Sequence, residues 1–224
     1  MPTVEFVEAQ RLATNPLADL ERRCLIWMAG RLPRWVTSDG LTLLALAGMG
    51  LTGLAYAAAR NHPAALLLAI LGLGINWFGD SLDGTVARVR RQQRPRYGFY
   101  VDHVVDCFGV LFVMAGLGWS GYMSPGVAMA FLVAYFMLSV EIFLATYCLA
   151  VFRLSFWGVG PTELRLLLAA GTLALLYDPR VQILGGQYRL FDVGGVVGAV
   201  GLGVTLLLSV ARNVRLLYRA EPLP

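Results

Sequence analysis

Four aspartates in one short segment are spaced so that their carboxylates can meet. Asp80 and Asp83 are three residues apart, and Asp102 and Asp106 are four apart. In α-helices both spacings place side chains on one face, since each residue advances by about 100°. If the two helices are antiparallel neighbours joined by a short loop, all four carboxylates can converge on one point. The spacing therefore predicts a shared carboxylate site.

Carboxylates held this close repel each other, and a divalent cation removes that repulsion. A ligand set made only of oxygen favours Mg²⁺ or Mn²⁺ over zinc. The alternative to a metal site is a carboxylate–arginine network that only joins two helices.

Small residues accompany the acids at Gly84, Ala87 and Gly98, and they leave room for a bulky ligand near the backbone. Arg88 shares a face of about 140° with Asp80 and Asp83, where a guanidinium can neutralise a phosphate. Together these features indicate a diphosphate ligand.

The rest of the chain has the composition of an integral membrane protein. Of its 224 residues, 58% are hydrophobic and 14% are charged, and the mean hydropathy is +0.66. Soluble domains carry about 25% charged residues. All 18 basic residues are arginines, giving a net charge of +4, and they cluster at the ends of apolar segments. This placement is typical of topology signals and of anchors for lipid phosphates, and we expect no nucleic acid partner.

The hydropathy pattern predicts an all-α integral membrane protein with six transmembrane helices and an N-terminal amphipathic interfacial helix. The predicted spans are 39–60, 63–89, 98–119, 124–151, 161–177 and 192–213. The preceding helix, from Pro16 to about Arg31, is too short and too charged to span. Packing of this helix against the protein itself is an equal alternative, and Glu21 falls among its apolar positions. We expect three regions: 1–36 (arm and interfacial helix), 37–219 (transmembrane domain) and 220–224 (tail).

The arginines also predict the orientation. Five of them lie at the end of the second predicted span or in the loop after it, and three more lie at the end of the sixth or beyond it: Arg88, Arg90, Arg91, Arg94 and Arg96, then Arg212, Arg215 and Arg219. The positive-inside rule then places both termini and the aspartate segment in the cytoplasm.

The aspartate segment resembles a known family signature. It reads Asp80-x2-Asp83-Gly84-x2-Ala87-Arg88-x9-Gly98-x3-Asp102-x3-Asp106, which is similar to the motif of the CDP-alcohol phosphotransferases. The resemblance implies two divalent metal ions on the four aspartates, and a CDP-binding site lined by Gly84, Ala87, Arg88 and Gly98. It implies transfer of a substituted phosphate from a CDP-linked donor to a lipid or small-alcohol acceptor, with release of CMP. It also implies a homodimer in a membrane, and the arginine-only composition suggests a bacterial inner membrane.

Two residues bear on the branch of that family. His103 directly follows Asp102, and Glu163 begins the fifth predicted span. Both resemble features of the choline and ethanolamine phosphotransferases, in which a His–Glu pair deprotonates diacylglycerol. In the alternative branch, which uses CDP-diacylglycerol and small polar alcohols, Asp106 would be the base. A spectator histidine and a glutamate that only favours the helix N-terminus remain open. A more remote alternative is a cation transporter.

Several other polar or small residues have open roles. Glu141 lies within the fourth predicted span, where an unpaired acid is costly. Arg165 is either a partner for a second phosphate or a topology anchor. Asp192 is interpreted as a helix cap, and Gly194 with Gly198 either forms a dimer contact or packs within one bundle. The three cysteines, Cys24, Cys107 and Cys148, lie in apolar segments without paired spacing and are interpreted as core residues.

Overall fold

The computed structural model describes residues 18–149, 160–183 and 185–221. This part of the chain forms seven α-helices and one two-stranded hairpin. The helices are α1 (Ala18–Arg31), α2 (Ser38–Ala59), α3 (Ala65–Val89), α4 (Pro95–Ser120), α5 (Pro125–Leu149), α6 (Pro161–Tyr177) and α7 (Leu190–Ala220). The hairpin consists of β1 (Arg180–Ile183) and β2 (Gly186–Arg189), which pair antiparallel. The all-α prediction is confirmed.

Five of these helices are long and apolar enough to cross a membrane: α2, α3, α4, α5 and α7. The helix that corresponds to the fifth predicted span, α6, has 17 residues. That length lies at the lower limit for a spanning helix, about 17 residues. That α6 spans the membrane therefore stays a prediction, as does the interfacial position of α1. Pro16 and the last residues of the predicted span 124–151 lie outside the described residues.

Local signals explain where several helices begin and end. The side chain of Thr37 accepts a hydrogen bond from the backbone N–H of Gly40 at 3.1 Å, which caps α2. Proline occupies the first position of α4 (Pro95) and of α6 (Pro161), where no intrahelical donor is lost. Gly121 ends α4 in the left-handed conformation, with φ of 82°.

Contacts between helix ends show that successive helices alternate in direction. At one end, Arg94 at the start of α4 lies 2.5 Å from Asp39 at the start of α2. At this same end, three backbone carbonyls between α1 and α2 accept hydrogen bonds from Arg90: those of Leu32, Pro33 and Val36. We call it the arginine-rich end. At the other end, Asp192 near the start of α7 accepts hydrogen bonds from the backbone N–H and the hydroxyl of Ser124, just before α5. Asp192 thus joins two helices.

Glycines allow α2 to pack very closely on both of its neighbours. A Cβ atom on Gly48 would lie 2.6 Å from the backbone nitrogen of Asn76 on α3. A Cβ atom on Gly116 of α4 would collide with the backbone of Gly53 on α2. Backbone approach of this kind is typical of helix contacts in membranes, where small residues replace the hydrophobic driving force. Through these contacts α3 and α4 both pack against α2. The two helices that carry the aspartates are thereby held next to each other.

The remaining helices complete the bundle. Tyr56 of α2 is fully buried, and its hydroxyl lies 2.6 Å from that of Thr172 on α6. Gly198 of α7 faces Phe131 of α5, because a Cβ on this glycine would lie 2.6 Å from the ring. Gly198 therefore packs within one bundle. A Cβ on Gly194 would meet no atom within 4 Å.

Candidate functional site

Three of the four aspartates converge between α3 and α4. One carboxylate oxygen from each of Asp80, Asp102 and Asp106 lies within 4.8 Å of the others, and all three residues are half-buried. Asp102 and Asp106 are one helical turn apart on α4, and Asp80 faces them from α3. We call these residues the aspartate cluster. Oxygen ligands that converge at this separation fit a hard divalent cation such as Mg²⁺ or Mn²⁺.

The fourth aspartate, Asp83, lies beside the aspartate cluster. Its Oδ2 accepts a hydrogen bond from the hydroxyl of Thr42 on α2 at 2.7 Å, and its backbone carbonyl accepts one from Ser38 at 3.0 Å. It remains close enough to Asp80 and Asp102 to interact with them electrostatically. In the structure, Asp83 thus joins the start of α2 to α3, and its role as a metal ligand stays a prediction.

A cation from α6 offsets part of the negative charge of the aspartate cluster. Arg165 donates from Nη2 to Oδ2 of Asp80 at 2.5 Å and from Nε to Oδ1 of Asn76 at 2.7 Å. Asn76 is buried and donates in turn to the backbone carbonyl of Ala45 at 3.1 Å. The guanidinium is therefore held by two acceptors on α3. The sequence suggested a phosphate partner or a topology anchor for Arg165, and neither role includes this ion pair.

Asn76 was not singled out from the sequence, although a signal was present. An amide within a long apolar segment needs hydrogen-bond partners, because an unsatisfied polar group is costly in lipid. Asn76 also lies four residues before Asp80, on the same face of α3. What the sequence could not supply was the partner, since Arg165 is 89 positions away.

Of the small residues of the motif, Gly84 lies beside the side chain of Arg88. A Cβ on Gly84 would lie 3.4 Å from Nη1 of Arg88, and a Cβ on Gly98 would meet no atom within 4 Å. Arg88 also donates to the hydroxyl of Thr85 at 3.1 Å. Ala87 accepts a hydrogen bond from the backbone N–H of Gln92 at 2.9 Å, in the turn that ends α3. Open space at Gly98 and a guanidinium beside Gly84 are compatible with an anionic ligand.

His103 lies next to the aspartate cluster in a defined orientation. Its Nδ1 is 2.6 Å from the backbone carbonyl of Phe99 and 4.0 Å from Oδ2 of Asp102. The rings of Phe99 and Phe143 pack against it with centroid distances of 4.2 and 5.1 Å. A carbonyl can only accept, so Nδ1 carries the proton in the neutral ring and Nε2 is the basic nitrogen.

Glu163 lies in the first turn of α6. Its Oε2 accepts a hydrogen bond from the backbone N–H of Gly160 at 2.9 Å, and this contact stabilises the helix start. The helix-terminal role considered from the sequence is therefore present. The predicted pairing of Glu163 with His103 stays a prediction.

An apolar cavity of about 490 Å³ lies between α1, α3 and α6. Arg165 is among its lining residues, so the cavity is adjacent to the aspartate cluster through the ion pair with Asp80. Trp77 and Leu166 contribute apolar surface, and Glu21 of α1 also lines it. The volume is within the range of small-molecule sites, about 300–1,000 Å³.

Comparison with protein families places this geometry in context. The model of the CDP-alcohol phosphatidyltransferase family matches residues 35–208, well over half of the chain. The chain belongs to the CDP-alcohol phosphatidyltransferase family. The match includes α2 to α5 and therefore every residue of the aspartate segment. Comparison with curated proteins finds no match.

Family membership makes the chain a transferase that moves a phospholipid head group from a CDP-alcohol in a membrane. Members of the family depend on divalent metal ions, and the aspartate cluster fits such an ion. The recognition of the family from the aspartate segment is thereby confirmed.

One acidic residue outside the aspartate segment has its own partners. Glu141 of α5 accepts hydrogen bonds from Ser209 at 2.9 Å and from Asn213 at 2.7 Å, both on α7. The two donors account for both carboxylate oxygens. The contact is therefore a helix–helix link, and it explains how an acid is accommodated within α5.

Proposed function

We propose that this CDP-alcohol phosphatidyltransferase transfers a choline- or ethanolamine-type phosphate from a CDP-linked donor to diacylglycerol. The acceptor oxygen forms a new bond to the phosphorus that bears the head group. The bond from that phosphorus to the oxygen of CMP breaks, and CMP leaves with the electron pair. The acceptor's hydroxyl proton passes to a base on the protein. The observation that carries this proposal is the aspartate cluster with His103 beside it.

The residues of the chain divide the work. Asp80, Asp102 and Asp106, with Asp83 beside them, would hold two Mg²⁺ or Mn²⁺ ions, as the family resemblance implies. When bound, these ions supply charge stabilisation for the diphosphate. Arg88 stabilises the phosphate of the leaving CMP. Gly84, Ala87 and Gly98 leave the space through which the nucleotide reaches the backbone, and the empty volume at Gly98 supports this role.

His103 is the proposed base. The hydrogen bond from Nδ1 to Phe99 fixes the tautomer in which Nε2 accepts a proton, and the two phenylalanine rings fix the plane of the imidazole. A neutral imidazole is a more effective base near pH 7 than a carboxylate bound to metal. Glu163 would support it from α6. The alternative base is Asp106.

The apolar cavity supports a lipid substrate. Its walls carry almost no polar surface apart from Glu21, Thr162 and Arg165, and it adjoins the aspartate cluster at Arg165. An acyl chain is the occupant that fits apolar walls next to a site where a polar head group reacts. Diacylglycerol and CDP-diacylglycerol both carry such chains, so the cavity supports lipid chemistry in either branch.

We place the arginine-rich end in the cytoplasm of a bacterium. In this arrangement α6 crosses the inner membrane together with the five longer helices, and α1 lies at the interface. The aspartate cluster lies towards this end, where water-soluble nucleotides are available. Two copies would form a homodimer, as the family resemblance implies. A cation transporter would place its acids at the bilayer midplane on broken helices, whereas α3 and α4 are continuous.

One observation favours the alternative branch. Arg165 places a guanidinium beside the aspartate cluster, where it could also meet the phosphate of an acceptor such as inositol phosphate or glycerol phosphate. In that branch CDP-diacylglycerol is the donor.

The deciding experiment identifies the lipid product. Purified protein with Mg²⁺ or Mn²⁺ is given CDP-choline or CDP-ethanolamine with diacylglycerol. In parallel it is given CDP-diacylglycerol with inositol phosphate, glycerol phosphate or serine. We expect CMP and a new phospholipid from the first set. Product from the second set alone would assign the chain to the CDP-diacylglycerol branch and remove the support for His103 as base.

A further inference from the structure

The buried face of α1 contains a carboxylate where an apolar side chain is expected. Leu25 and Ala29 are buried and Met28 packs beside them, and these residues bind α1 to α2 and α3. Glu21 lies within the same arc of about 100° on the helix. An ionised carboxylate on a packed face is costly unless donors satisfy it. Glu21 therefore needs an explanation that amphipathicity does not provide.

The structure supplies two donors from two different helices. Oε1 of Glu21 accepts a hydrogen bond from Nε1 of Trp77 on α3 at 2.9 Å. The same oxygen accepts a hydrogen bond from the hydroxyl of Thr162 on α6, also at 2.9 Å. One atom of α1 thus connects α3 to α6. Hydrogen bonds to a charged acceptor are among the stronger ones, which makes this connection rigid.

Both donors are one helical turn from the ion pair of the functional site. Trp77 is three residues before Asp80 on α3, and Thr162 is three residues before Arg165 on α6. Residues three apart lie on neighbouring positions of one helix face. The helices joined by Glu21 are therefore also the helices joined by Arg165 and Asp80.

We propose that Glu21 is a positioning residue for the aspartate cluster: by binding Trp77 and Thr162 through one oxygen, it sets α3 and α6 so that Arg165 reaches Asp80. Only the effect of Glu21 on catalysis rests on the proposed function. The structural part of the proposal is that α1 helps to position the active site and is more than a membrane anchor. If α3 and α6 move apart, the guanidinium leaves Asp80, and Asp80 loses the contact that orients it towards Asp102 and Asp106.

The test measures Mn²⁺ binding to the full chain in detergent or nanodiscs, by the loss of the free-ion electron paramagnetic resonance signal. Loss of an outer partner of a metal ligand weakens metal binding about 10- to 100-fold. Glu21 acts one step further out, so we expect Glu21→Ala to weaken Mn²⁺ binding about tenfold, at the lower end of that range. In Glu21→Gln the amide oxygen can accept both hydrogen bonds, and we expect an affinity close to that of the wild type.

The donors provide the matched variants. Trp77→Phe keeps an aromatic ring but removes the N–H, and Thr162→Val keeps the side-chain shape but removes the hydroxyl. Each should weaken Mn²⁺ binding by less than Glu21→Ala, and neither should add to the effect of Glu21→Ala in a double variant. Arg22→Gln, an exposed neighbour on α1, is the control and should leave the affinity unchanged.

Each outcome decides the inference. A folded Glu21→Ala protein with wild-type Mn²⁺ affinity would overturn it, and so would equal weakening in the Gln and Ala variants. If Glu21→Ala does not fold, the two donor variants decide: weaker Mn²⁺ binding at an unchanged melting temperature supports the inference, and wild-type binding in both overturns it. CMP release by the wild type tests the proposed function separately, because the Mn²⁺ affinities are measured without substrate.

Discussion

Arg165 Nη2 and Asp80 Oδ2 lie 2.5 Å apart, and this ion pair connects α6 to the carboxylates that α3 and α4 bring together. Its side chains are only 16% and 21% exposed. Three carboxylates within 4.8 Å of one another would otherwise carry an unbalanced negative charge. The guanidinium offsets part of it and orients Asp80 towards its partners.

The ion pair predicts an energetic coupling between the two residues. Arg165→Gln and Asp80→Asn should each lower the melting temperature, and the double variant should cost less than the sum. Residues in direct contact couple by about 0.5–3 kcal/mol. Thermal unfolding of the four proteins in one detergent measures the cycle, with Arg180→Gln in the exposed hairpin as a control. Additive effects would mean that the contact does not stabilise the fold.

Activity should require both aspartates that α4 contributes to the aspartate cluster. Asp102→Asn and Asp106→Asn keep the side-chain size but remove the charge that holds a divalent cation, so CMP release should be abolished. Both proteins should still elute as folded species in detergent. Asp178→Asn, at the exposed C-terminal end of α6, should behave like the wild type. Full activity of both cluster variants in the presence of a chelator would exclude the metal-dependent mechanism.

Replacement of His103 should lower the rate of phosphate transfer without weakening metal binding. General base catalysis contributes about 10²- to 10⁴-fold, so His103→Gln should lower kcat by that factor. Its Mn²⁺ affinity should stay near the wild-type value, because the carboxylates are retained. Measuring both quantities on the same preparation separates a base from a structural residue. An unchanged kcat would transfer the role of base to Asp106.

Gly98 offers a test of the nucleotide site that leaves the fold unaffected. A Cβ at this position meets no atom within 4 Å, so Gly98→Ala should not lower the melting temperature. If the CDP donor occupies that space, the added methyl group should lower kcat/KM for the donor by about 10- to 200-fold, the range that one methylene group produces in a binding pocket, and we expect the loss as a raised KM. Gly126→Ala on α5, where a Cβ also meets nothing, is the matched control. An unchanged KM would place the donor elsewhere.

The sequence predicts the parts of this site that depend on helical spacing alone. Asp102 and Asp106 are four residues apart on one helix, and their convergence follows from the helix itself. The contact of Arg165 with Asp80 depends on how α6 packs against α3, and the sequence does not reveal this packing for residues 85 positions apart. The hydrogen bond between Thr42 and Asp83 could not be predicted for the same reason. Thr42 lies on α2, and the sequence does not give the position of α2 against α3.

The helix boundaries were also largely predictable. Apolar length predicted most span boundaries to within a few residues, and Pro161 marked the start of α6. Two ends differ: α4 begins at Pro95 and not at 98, and α7 continues to Ala220, beyond the predicted end at 213. The hairpin at 180–189 was missed because four-residue strands carry too little pattern to separate them from a loop. Glu21 was recognised as an exception to the apolar pattern of α1, but its two donors lie on helices whose positions the sequence does not give.

Replacement of Glu141 should lower the stability of the protein and leave its catalytic rate unchanged. Its carboxylate accepts hydrogen bonds from Ser209 and Asn213, so Glu141→Ala leaves two donors without their acceptor at membrane depth. Loss of such a partner costs about 1–3 kcal/mol. Thermal unfolding should show this loss for Glu141→Ala and a smaller one for Glu141→Gln, whose amide oxygen can still accept. The kcat of the folded Gln variant should equal that of the wild type. A large fall in its kcat at unchanged stability would instead place Glu141 in the substrate site.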